Sequence, residues 1–69
     1  MDKEQRLESF EKMLSAIEEN YAGIVSKMEA LKAQGREKSA TYRQLMGNKL
    51  MYKDMLSLYE QYGLREKEH

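Results

Sequence analysis

Cysteine and proline are both absent from the 69 residues, and the single histidine is the last residue, His69. Without cysteine there is no disulfide and no thiolate metal site. One terminal imidazole makes no histidine ligand set either, so neither metal nor cofactor is expected. No apolar run approaches the ~20 residues that span a bilayer. The N-terminus also lacks the basic, apolar, then small-residue order of a secretory signal. A cytoplasmic protein without membrane attachment is the expectation.

These absences also bear on stability. A single domain of this size buries only about 60% of the surface its unfolded chain exposes. Below roughly 70–80 residues, disulfides, a metal or oligomerisation usually supply the remainder. With the first two excluded, a second copy of the chain becomes the expected reinforcement.

What is present is helix-forming and strongly charged. Charged residues make up 35% of the chain, 12 basic against 12 acidic, for a net charge of zero. They are unevenly placed. Residues 1–30 carry four basic and seven acidic side chains, residues 31–53 six and one, and residues 54–69 two and four. Glu, Lys, Leu, Met and Ala, all strong helix formers, dominate.

From Leu7 the apolar spacing is regular: Phe10, Leu14, Ile17, Tyr21, Ile24, Met28, Leu31. Alternating steps of three and four give the 3.5-residue repeat of a helical seam. Asp2 with Gln5 resembles a capping box, and Gly35 suits the left-handed residue past a helix C-terminus. Helix 1 is therefore expected over about 3–34. Ser39 or Thr41 can cap a second helix, with an earlier start near Arg36 as an alternative. Gly63 suits its end, with Leu64 folding back on Tyr59. The expectation is one all-α domain over 1–69: helix 1, a turn at about 35–38, helix 2 at about 39–62 and a polar tail at 63–69. The tail's "REKEH" is expected to fray, and its terminal Glu-His resembles an expression-tag remnant.

So short a connection makes an antiparallel hairpin. Facing residues should then sum to about 73, pairing Tyr42 with Leu31, Leu45 with Met28, Tyr52 with Tyr21, Leu56 with Ile17 and Tyr59 with Leu14. Lys49 falls opposite Ile24, where a lysine must snorkel or find a partner.

That seam leaves apolar residues over. "LMGNKLMYKDMLSLYEQYG" holds ten apolar or aromatic residues in the 18 before Gly63, more than a stripe of ~100° accommodates. A second stripe consists of Met51, Met55, Leu58 and Tyr62, continued backwards by Gly47 and Ala40. On helix 1, Ser9, Ala16, Gly23 and Ala30 recur every seven residues along one flank. Small residues admit a close neighbour, and methionines fill irregular gaps. These residues are the expected dimer interface, closing two hairpins into a four-helix bundle with coiled-coil-like packing.

Catalytic chemistry is not legible. Ser9, Ser15, Ser26, Ser39 and Ser57 have no evident base, and no strand precedes a glycine-rich phosphate loop. Glu4, Glu8 and Glu11 share a helix face, but bundle metal sites add a Glu-x-x-His that is missing here. In outline the chain resembles the short helical-hairpin phosphatases that act on response-regulator aspartates in sporulating bacteria. Their second helix carries Ser-Gln-x-x-Asp. No such run occurs here, and Asp54, the only Asp in helix 2, sits in "YKDML". No residue role carries over, and no enzyme is expected.

The basic block offers the alternative. Lys32, Arg36, Lys38, Arg43, Lys49 and Lys53, interleaved with Tyr42 and Tyr52, could hold phosphates and stack bases. A nucleic-acid binder normally has a basic domain, and this chain is neutral. The expected role is thus a non-enzymatic interaction module, a homodimeric hairpin that docks on another protein or spaces two partners. A nucleic-acid accessory factor using the basic tip is the second reading.

Overall fold

Local hydrogen-bond chemistry sets both ends of each helix in the computed structural model, which describes residues 2–65. The first helix, α1 (Lys3–Ala33), starts at a complete capping box. The Gln5 backbone N–H donates to Asp2 Oδ1 at 2.8 Å, and the Asp2 N–H donates to Gln5 Oε1 at 3.2 Å. Two of the N–H groups that a helix start leaves unpaired are satisfied this way.

A Schellman motif ends α1. The Arg36 N–H donates to the Leu31 carbonyl at 2.8 Å and the Gly35 N–H to that of Lys32 at 3.0 Å. Gly35 sits at φ +73°, where a Cβ would be strained. Residues 34–39 form the turn, and Ser39, rather than Thr41 or Arg36, caps the second helix, α2 (Ala40–Gln61). The Ser39 hydroxyl accepts the Tyr42 N–H at 3.1 Å and donates to the Arg36 carbonyl at 2.8 Å. One side chain therefore starts α2 and closes the turn. At the far end Gly63 (φ +70°) repeats the Schellman geometry, with the Leu64 N–H on the Tyr59 carbonyl at 2.9 Å.

The helices pack antiparallel along one seam, and the chain forms a slab of 49 × 24 × 15 Å. The core is small: Ile17, Met28, Leu56 and Tyr59 are 4–9% exposed. Phe10, Leu14, Tyr21 and Tyr52 pack around Ile17, Leu56 and Tyr59. Phe10 meets Tyr59 edge to face, with ring centroids 5.1 Å apart, a contact worth ~0.5–1.5 kcal/mol beyond area burial. Lys49 is half-buried, and no charged side chain among the described residues is fully buried.

Two expectations are corrected. The seam does not begin at Leu7, which is 57% exposed. With 31 residues against 22, α1 outruns α2, so no residue of α2 reaches its first turns. The tail does not fray from its first charged residue. Arg65 Nε donates to Glu18 of α1 at 3.2 Å, and its Nη1 donates to Glu60 of α2 at 2.6 Å. That side chain ties the chain end across the seam. The tag-like Glu-His lies outside the described residues.

The turn residues are directly testable by urea denaturation at fixed protein concentration. Gly35→Ala should destabilise by about 1–2 kcal/mol, the usual cost of placing a Cβ in the left-handed region. Ser39→Ala should cost about 1 kcal/mol through the lost N-cap. An unchanged midpoint in both variants would contradict the turn geometry.

Candidate interaction site

At 3.6 residues per turn, α2 turns Leu45, Tyr52, Leu56 and Tyr59 toward α1 and leaves Met51, Met55, Leu58 and Tyr62 on an adjoining flank. All four of the latter are exposed in the single hairpin, Leu58 at 56% and Tyr62 at 77%. The stripe inferred from the sequence is thus contiguous and uncovered by the chain's own fold.

Beside it α1 contributes more than was legible. Phe10, Met13 and Ile17 line an apolar groove together with Met55, Leu58, Tyr59, Tyr62 and Leu64. Its volume is about 410 Å³. Apart from two tyrosine hydroxyls the lining is hydrocarbon and thioether. Met13 lies off the three/four seam series, so the spacing does not point to it. Yet it is three residues from Phe10 and four from Ile17, the spacing that places it at the seam's edge. Leu64 joins because the Schellman motif folds it back over Tyr59.

The small-residue flank of α1 divides between two places. Gly23 lies along the same face as Met51, in a smaller depression with Asn20, Ile24, Lys27, Asn48 and Tyr52. A Cβ on Gly23 would meet nothing within 4 Å, so the single hairpin itself gives that glycine no packing reason. Ala16 instead lies on the outer flank among Glu8, Glu11, Lys12, Ser15 and Glu19. Ala30, Ala40 and Gly47 are exposed and line no part of the groove. Met46 and Leu50 are also exposed, but their helical phase places them on the other side of α2.

Across the seam the slab is different in character. There Glu18, Ala22, Ser26, Glu29 and Arg65 lie beside Tyr21, Val25 and Leu56, a surface of mixed character. That side has charged groups around its apolar residues, unlike the groove lined by Met13 and Met55.

Lys32, Arg36, Lys38, Arg43 and Lys53 are exposed, the first four around the turn, while Lys49 is half-buried. Tyr42 and Tyr52 are half-buried, and Tyr52 packs against the core. Glu4, Glu8 and Glu11 are exposed. Among the described residues no group of three or more His, Asp or Glu side chains is placed to hold a metal ion. No helix among them is long and apolar enough to cross a membrane.

No protein-family model, no curated protein and no solved structure matches this chain. The candidate site accordingly rests on its own geometry.

The basic turn can be tested by titrating duplex and single-stranded nucleic acid at several salt concentrations. No retention is expected near ~0.15 M salt, since each phosphate contact there competes with released counterions. Tight binding at that salt, abolished by Arg36→Ala, Lys38→Ala and Arg43→Ala together, would establish the nucleic-acid reading instead.

Proposed function

We propose that this chain is a non-enzymatic protein-interaction module. It is a homodimeric helical hairpin whose two copies close a four-helix bundle and present a rigid spacer to another protein. The observation that carries the reading is the exposed groove with its adjoining Met51, Met55, Leu58 and Tyr62 stripe. Contiguous apolar surface of this kind marks interaction sites. A groove of about 410 Å³ falls in the size range of small-molecule pockets, but such pockets place several polar groups to orient a ligand. Two tyrosine hydroxyls are a poor set for that purpose, whereas interdigitating Met, Leu and Tyr suit another helix.

Area supports the same partner. A compact 8.2 kDa monomer would expose about 4,500 Å² on the usual size scaling. This hairpin exposes 5849 Å². A standard interface covers about 800 Å² per partner. The 49 × 24 Å broad face is large enough to hold it.

Sedimentation equilibrium at micromolar concentration should return twice the 8.2 kDa chain mass. Met55→Glu with Leu58→Glu should raise the dimer dissociation constant at least about 100-fold, because unpaired buried charges are strongly destabilising. In the hairpin itself both positions are exposed, so the substitutions do not attack its seam. A wild-type chain that stays at monomer mass at high concentration would refute the reading, as would a double variant that still dimerises.

A further inference from the structure

The orientation of the second copy follows from how charge and apolar surface are distributed along the slab. Take Glu19 and Asp54, which stand level in a register summing to about 73 and lie within one helical turn of Ile17 and Leu56, as a dividing level. The half of the hairpin away from the turn, residues 2–19 and 54–65, carries eight acidic and four basic side chains, a balance of −4. The half bearing the turn, residues 20–53, carries seven basic and two acidic ones, a balance of +5. The apolar stripe from Met51 to Tyr62 is centred between Met55 and Leu58, close to that dividing level.

A twofold axis in the plane of the apolar face has two choices. Running along the hairpin, it sets turn beside turn and open end beside open end, stacking +5 on +5 and −4 on −4. Running across the hairpin near Ile17, it lays each basic half over the partner's acidic half. It also brings Met51 of one copy toward Tyr62 and Met13 of the other. Like charges brought together are penalised strongly enough to set interface register.

Resting on the dimer reading above, we infer that the two hairpins pack head to tail, the basic turn of each copy lying over the acidic open end of the other. The neutral net charge of the chain then has a use, since the excess at each end is matched within the pair.

Spin labels test this directly, because the native chain has no cysteine to interfere. Arg36→Cys and Lys3→Cys, both at exposed positions, are labelled separately and studied by pulsed dipolar spectroscopy, where every distance is between copies. With ~1.5 Å of rise per residue, head-to-tail packing places the labels about 55 Å apart at position 36 and about 40 Å apart at position 3. Mixing the two labelled chains should add a new distance below about 30 Å. Short distances at both single positions, with mixing adding only a long one of about 50 Å, would overturn the orientation while leaving the dimer intact. No dipolar signal in either variant, with monomer mass in the unlabelled chain, would overturn both.

Discussion

Two helices share one seam, and one seam shields only one stripe of each. That constraint governs the rest of this molecule. α1 and α2 bury four residues between them, and none of the four is sealed completely from solvent. A bundle of three or four helices surrounds each helix on more than one side, whereas a hairpin does not. Any apolar side chain beyond the seam must therefore meet water or another molecule. Met51, Met55, Leu58 and Tyr62 lie just beyond it, and so does the groove that Met13 and Leu64 complete.

The framework was largely legible because its signals are local. The capping box of Asp2 and Gln5, the Ser39 cap, and the left-handed Gly35 and Gly63 each satisfy backbone groups within a few residues. Such chemistry depends little on tertiary surroundings. The three/four spacing and the short turn likewise bring Ile17 and Leu56 into one core. What was not legible depended on features that only the folded chain brings together. Leu7 continues the spacing but has no partner, because α2 stops short of it. Met13 breaks the spacing yet lines the groove. Arg65 looked like a frayed tail residue and instead bridges both helices. The seven-residue series of small residues proved the weakest signal. Gly23 reaches the apolar face, whereas Ala16 lies among the charges of the outer flank.

The chemical character of the surface narrows what it can recognise. The groove is apolar and nearly without orienting groups, the opposite face is of mixed character, and the tyrosines interleaved with the basic residues are half-buried. A partner that brings its own apolar helix face fits these features better than a ligand or a nucleic acid does. A second copy brings that face together with the opposite distribution of charge.

The most direct measurement is the thermal midpoint of the chain as a function of its own concentration. When folding is linked to association, mass action makes the midpoint depend on concentration. If the uncovered face is closed by a second copy, the midpoint should rise steadily from low-micromolar to millimolar chain. A midpoint that stays constant across that range would show that the hairpin stands without a second copy, contrary to the central claim.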